Sequence, residues 1–423
     1  MGALPRHLLP DNAAVDGDGW LTIGGCSLRD LAADHGTPLF VYDEDHLRAR
    51  CREAVAAFPD GAAYATKAFL CTAMARLAHE EGMHLDVATG GELHVALAAG
   101  VPADRLVLHG NNKSEAELTQ ALEAGVGRIV VDSDDEVDRI ERLVRAGAPR
   151  PTVLLRVTPG VEAHTHEFVQ TGQTDSKFGF GVIDDIAHRA IERAVAMPEL
   201  DLAGLHVHIG SQVFVAGFFH QAVEIIAPFV NDHGLPELSI GGGLGVAYVE
   251  GEEAPTIAQW GASVLQACSR AGITAKITAE PGRAIAAAAA VTLYSVGTIK
   301  ELPNIRTYLS VDGGMSDNPR PVLYGSGYEA FLPRAPFADR ERTVTVVGKH
   351  CESGDVLVRE ARVPSDVVVG DLLATPVTGA YGHSMGSNYN KVPRPAVVFC
   401  REGAARVVVR RETFEDLLRS DTL

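Results

Sequence analysis

The chain has 423 residues, 46% of them hydrophobic and 22% charged, a globular composition in a length that exceeds one typical domain. Its net charge of −18 argues against nucleic acid or an anionic membrane as a partner, and no apolar run approaches the roughly 20 residues of a membrane span. Met1 to Asp11 lacks the basic segment and apolar core of a signal peptide, and the six cysteines form no CxxC pair, so a reducing cytoplasm is expected, with no structural zinc and no disulfide framework.

The first element in chain order is Trp20–Ile23, which has strand character, and residues 1–39 are expected to join a β domain. From about residue 40 to 285 strand-like runs alternate with helical patterns, the signature of parallel βα units. The strands fall at Ala62–Lys67, His84–Val87, Leu106–His109, Ile129–Asp132, Thr152–Val157, Leu202–His208, Glu237–Ile240 and Ala275–Glu280, and helical spacing fills several gaps, as at Met74, Leu77 and Ala78. Eight such units in about 245 residues have the size of a (β/α)8 barrel. Past Ile285, short β-rich runs (Val291–Val296, Thr307–Val311, Thr343–Val347, Asp355–Val358, Asp371–Thr375, Ala396–Phe399 and Ala405–Arg410) are separated by Gly, Pro and Asp. The expected division is therefore 1–39 with the β domain, 40–285 as the barrel, and 286–423 as a C-terminal all-β domain.

The polar residues of the barrel segment are not scattered. Lys67, Asp86, His109, Asp132, Arg156, His208 and Glu280 all stand at or next to the C-terminal end of a predicted strand. In a barrel these ends converge on one mouth, where catalytic groups collect. Lys67 has no acidic partner nearby in sequence, and burial there would disfavour its ammonium form and leave a nucleophilic amine, as a Schiff base requires. Gly241-Gly242-Gly243 follows a strand, so bare backbone N–H groups can approach a phosphate, with Ser211 and Arg283 supplying a hydroxyl and a charge. The GxGxxG spacing of a dinucleotide site is absent. Glu280 suits a carboxylate that keeps a pyridine nitrogen protonated, and its structural alternative is a pair with Arg283. Together these groups have the character of a pyridoxal phosphate (PLP) site.

One of His206 and His208 is expected to face the barrel interior, and an imidazole stacked on a flat cofactor fits His208 there. Their spacing, like that of His164 and His166, also suits a metal, but no carboxylate or cysteine completes a ligand set in sequence, so no metal is expected. In the β domain, Cys351 is followed by Glu352, Ser353 and Gly354, which marks an exposed functional loop rather than a buried thiol. Asp312-Gly313-Gly314 with Arg320 and Tyr324 forms a second polar cluster, and Gly379-Ala380-Tyr381 a third. Arg320 is read either as a bidentate carboxylate clamp or as a solvated arginine.

The runs YATKAF, LDVATGGE, HGNNKS, EAHTHEF, KFGFG, HVHIGSQ, GGGLG, EPGR, VDGGMSDNPRPVLYG, GKHCESGD and GAYGHSMGSNYN resemble the diaminopimelate decarboxylase family, over residues 35 to 412. That family belongs to the fold-type III PLP decarboxylases. The resemblance implies that Lys67 binds the cofactor covalently, His208 stacks on its ring and Glu280 meets its nitrogen. Asp86, Ser211, Gly242, Gly243, Gly282, Arg283 and Tyr381 would complete the cofactor site. Arg283, Arg320, Tyr324 and Tyr381 would hold substrate, with the retained carboxylate on Arg283, Arg320 and Tyr324. Glu352 on the distal amino group and Cys351 at the reacting carbon would come from the partner subunit of a head-to-tail homodimer.

The implied reaction is decarboxylation of meso-diaminopimelate to L-lysine, with Cys351 and Lys67 both candidates to return the proton to Cα. A departure from the pattern is Phe69, where many members carry asparagine. A paralogue acting on a related D-configured or carboxylated amino acid stays open. A PLP racemase is disfavoured by Glu280, because the racemase family places arginine at the ring nitrogen, and a non-catalytic regulator is disfavoured by the presence of both Lys67 and Cys351.

Overall fold

The computed structural model describes residues 3–161 and 175–422. It divides into two compact units, one formed by Arg50–Gly245 and Ala254–Ala284, the other by Met1–Ala49, Val246–Glu253 and Ile285–Leu423.

The first unit is an eight-stranded parallel barrel. Its strands are Ala63–Ala65, His84–Val87, Leu106–Leu108, Arg128–Val131, Thr152–Thr158, Asp201–His206, Glu237–Ser239 and Lys276–Thr278, each paired with the next in chain order. Each overlaps a predicted strand, and most stop one or two residues short of the predicted end, where the chain turns into the loop. The first and eighth strands close the ring: the Ala63 N–H donates to the Ala279 carbonyl at 2.8 Å and the Ala279 N–H to that of Gly61 at 3.2 Å. Between strands the helices begin where the sequence supplies caps. Ser114 accepts from the Glu117 N–H while the Glu117 carboxylate accepts from that of Ser114, a reciprocal box that starts the helix Glu115–Ala124. Asp134–Arg145 carries three acidic residues in its first turn and two arginines in its last, as the helix dipole favours, and buries Val137 and Ile140.

The second unit is built on a mixed sheet in the order Val356–Val363, Arg342–Val347, Arg306–Val311, Ala290–Leu302, Leu39–Asp43, Ala396–Arg401 and Ala404–Val409, with Leu372–Pro376 also paired to the long strand Ala290–Leu302. Trp20–Ile23 shortens to Leu21–Ile23 and lies in a separate three-stranded sheet with Ala14–Val15 and Cys26–Ser27. The strand that carries the N-terminal segment into the main sheet is Leu39–Asp43. All five of its residues are buried, as a central strand covered on both faces requires. Among the described residues no helix is long and apolar enough to cross a membrane.

Candidate active site

Of the seven predicted strand-end residues, the folded chain joins Asp86, His109 and Glu280 with His206 and Ser239 into one buried cluster centred on Glu280. Glu280 Oε2 accepts a hydrogen bond from His206 Nε2 at 2.8 Å, and Oε1 accepts one from the Ser239 hydroxyl at 3.0 Å. His109 Nε2 lies 3.3 Å from Glu280 Oε1 and 3.6 Å from Asp86 Oδ1. Burial works against the Glu280 charge, yet His109 and His206 hold its carboxyl well below the ordinary range. At Asp86 burial, helped by the nearby Glu280 charge, pushes the carboxyl up to about 6 against the pull of His109. Burial also brings His206 down to about 4, so it donates to Glu280 as a neutral imidazole. Glu280 does not pair with Arg283, whose Nη2 donates instead to the Ser211 hydroxyl at 2.8 Å.

Lys67 occupies the turn Thr66–Ala68 that ends the first strand, and there it is exposed rather than buried. Its ammonium acts on Asp86 and on His208, so the acidic neighbour that the local sequence lacks comes from the second strand. Phe69 is fully buried, and its carbonyl accepts from the Tyr64 hydroxyl at 2.8 Å. His206 and His208 both serve the mouth. The expectation that only one faces inward fails because residues two apart share a strand face. The Gly242 N–H donates to His208 Nδ1 at 3.2 Å, which leaves the proton on Nε2, and burial with the nearby Lys67 and Arg156 charges holds His208 well below its ordinary range.

The glycines are required by close approach. A Cβ on Gly242 would stand 2.3 Å from the Glu280 carbonyl, and one on Gly243 2.3 Å from that of Gly210. Gly241 and Gly243 also take φ of +65° and +107°. Gly282 sits 2.9 Å, measured the same way, from Ala65 of the first strand. The result is a lining of bare backbone next to Ser211 and Arg283, a cradle that suits a phosphate. At two further strand ends, Asp132 Oδ2 accepts from the Gly179 N–H at 3.0 Å, and Arg156 lies over the Phe178 ring at 4.3 Å. His109, His206 and Glu280 offer ligand atoms within 4.8 Å of one another, a two-histidine, one-carboxylate set that sequence spacing did not reveal. They are already committed to each other by the bonds above. His164 and His166 lie outside the described residues.

In the β unit, Arg320 opens the short helix Arg320–Tyr324, and Tyr324 ends it. Arg320 is only 4% exposed. Its guanidinium stands over the Tyr248 ring at 4.2 Å and donates to the Tyr328 hydroxyl. Tyr248 and Tyr328 were not singled out in the sequence, where neither carries a motif signal. Cys351 and Glu352 are exposed, on a loop shaped by Asp355, whose carboxylate accepts from the Met315 and His350 N–H groups at 2.7 and 2.9 Å. Gly314 and Gly348 lie so close to Asp355 that any Cβ would strike its oxygens at 2.6 and 2.2 Å. Asp355 therefore ties the Asp312-Gly313-Gly314 turn to the Cys351 loop. Tyr381 is half-buried, with a φ of +61°.

A barrel of this kind, with a lysine beyond its first strand, a glycine-lined cradle and an ionised carboxylate fixed by histidines, defines a PLP enzyme. The family model described as pyridoxal-dependent decarboxylase, pyridoxal binding domain, matches residues 44–287. Diaminopimelate decarboxylase of Mycobacterium tuberculosis is 47% identical over 98% of both chains. Among solved structures, diaminopimelate decarboxylase from M. jannaschii in complex with L-lysine has a TM-score of 0.90 at 31% identity, covering 98% of each chain. That from Helicobacter pylori, also with L-lysine, has 0.85 at 30%, covering 92% of this chain and 98% of its own. The chain belongs to the diaminopimelate decarboxylase family of PLP-dependent lyases.

Proposed function

We propose that the protein decarboxylates meso-2,6-diaminopimelate to L-lysine and CO2, the last step of lysine biosynthesis. One observation carries the choice of substrate. Arg320 is a buried guanidinium that forms no ion pair among the described residues, and its Nε has no hydrogen-bond partner among them. A buried cation is costly unless an anion meets it. The carboxylate that diaminopimelate retains is such an anion, and ornithine, arginine and lysine have no second carboxylate to offer.

In this reading Lys67 tethers the cofactor, and Ser211, Gly242, Gly243, Gly282, Arg283 and Tyr381 hold its phosphate end. PLP supplies the electron sink for the pair left behind when CO2 departs. Glu280, already ionised and fixed by His206 and Ser239, faces the ring nitrogen and keeps it protonated. His208, neutral and anchored by the Gly242 N–H, offers a flat stacking surface, and Asp86 borders the ring. Arg320 and Tyr324, with Arg283, bind the retained carboxylate, and Glu352 binds the distal ammonium. The proton that returns to Cα is carried by Cys351 Sγ or Lys67 Nζ. We assign Cys351 and Glu352 to the partner in a head-to-tail homodimer, which their exposure in the single chain supports. No disulfide links any of the six cysteines, which suits the reducing cytoplasm where we place the reaction. The test is incubation of the PLP-loaded protein with meso-diaminopimelate: equimolar CO2 and L-lysine are expected. Efficient turnover of ornithine, arginine or lysine instead would overturn the assignment.

A further inference from the structure

His109 follows the third barrel strand and touches two carboxylates at once, Glu280 Oε1 at 3.3 Å and Asp86 Oδ1 at 3.6 Å. All three side chains are buried. The position is rigid. The His109 N–H donates to the Val87 carbonyl at 2.7 Å, and Lys113, itself buried, pins the following loop by donating to the Gly110 and Val130 carbonyls at 2.7 Å each. The His206 ring stands edge-on to that of His109, with centroids 4.9 Å apart. The two histidines divide the work. His206 has a full hydrogen bond to Glu280 and needs no charge for it, whereas His109 stands between two carboxylates that cannot both remain ionised, buried and this close without a cation.

We propose that His109 is a positioning residue for the decarboxylation, an imidazolium wedged between Asp86 and Glu280 that keeps Glu280 ionised and in place for the cofactor nitrogen. This rests on the reading that Glu280 faces that nitrogen. The other charged groups around the site are Arg156 and Lys67, both cations, and Glu92, which acts on Asp86. Burial and Arg156 oppose a charge on His109, but Asp86 and Glu280 outweigh them and raise its pKa. No other described side chain makes an ion-pair contact with both Asp86 and Glu280.

Two measurements test this. The first needs no activity: apoprotein labelled with 15N-histidine, with the His109 signals assigned by their loss in His109→Gln, should show both ring nitrogens of His109 protonated at pH 8 while His206 carries one proton. A singly protonated His109 at pH 8 overturns the proposal. The second uses the PLP-loaded enzyme. In His109→Gln, which can still donate to a carboxylate but carries no charge, kcat should fall at least tenfold with KM within about twofold, and the pH midpoint of the cofactor's visible absorbance should move by a unit or more. Adding Asp86→Asn, which removes the surplus carboxylate, should return several-fold of the lost kcat, a compensation that a merely structural role would not show. Unchanged kcat and midpoint in His109→Gln, or no recovery in the double variant, overturns it. If wild type fails to release lysine from diaminopimelate, the assigned reaction falls while the His109 charge is still decided by the spectrum.

Discussion

His206 Nε2 lies 2.8 Å from Glu280 Oε2, and this bond joins the end of the sixth barrel strand to the segment beyond the eighth. With Ser239 on the other oxygen, it leaves Glu280 surrounded by donors. An amide in its place must turn its NH2 toward one of those donors and carries no charge for a ring nitrogen. Glu280→Gln should therefore retain bound PLP but lose about a hundredfold or more in kcat, the scale of a removed electrostatic partner in a closed site. Undiminished kcat would remove Glu280 from the mechanism.

Borohydride reduction of the PLP-loaded enzyme should fix the cofactor on the tryptic peptide that contains Lys67. Lys67→Ala should take no covalent label. A label on any other lysine contradicts the reading of the mouth.

Arg320→Met removes the buried cation proposed to meet the retained carboxylate. Loss of such a charge-assisted pair costs about 2–5 kcal/mol, so kcat/KM for diaminopimelate should fall by about thirty-fold to several thousand-fold. Tyr328→Phe, which deletes only the hydroxyl that Arg320 donates to, should cost about tenfold. Steady-state kinetics on both variants separate a substrate clamp from a purely structural arginine, which would change thermal stability without raising KM.

Lys67→Ala and Cys351→Ala should each be nearly inactive alone. If Cys351 acts across a twofold interface, subunit exchange makes heterodimers in which one site inherits both defects and the other neither. With random exchange half the dimers are mixed, and activity should recover to about a quarter of wild type. Verified heterodimers that stay inactive would return Cys351 to its own chain.

Asp317 accepts from the Tyr294 hydroxyl at 2.6 Å and from the Gly314 N–H at 2.9 Å, and burial pushes its carboxyl up to about 7. Its pKa in the unfolded chain is about 3.9. A folded pKa above the unfolded one gives stability that is fully present below about pH 4 and lost as pH rises through 7. Asp317→Asn, a neutral isostere, should be close to wild type in Tm near pH 4 and increasingly more stable than wild type as pH rises to 8. A Tm difference that does not change with pH would show that Asp317 titrates in its ordinary range.

Much of this protein is local and therefore readable along the chain. Alternating strand and helix periodicity set the barrel, since each element declares its buried face by spacing alone. The rule that parallel strands converge at their C-terminal ends then collected Lys67, Asp86, His109, His208 and Glu280 before any coordinates. Gly241–Gly243 and Arg283 were legible as a candidate phosphate cradle because each closely follows a predicted barrel strand, where bare backbone and charge can meet an anion. The exposure of Lys67 was not, because a strand end and the turn beyond it look alike in sequence.

Tertiary structure alone decided the partners. Nothing near Glu280 announces His206, 74 residues earlier, or separates its role from that of His109. Tyr328 and Tyr248 are ordinary tyrosines until the fold sets them against Arg320. Leu39–Asp43 is one more apolar run until it pairs with Ala290–Leu302 on one side and Ala396–Arg401 on the other. Periodicity records which face of an element is buried, but a contact between elements depends on how the chain closes over hundreds of residues, and the burial that moves the pKa values of Asp86, His206 and Asp317 exists only once it has closed.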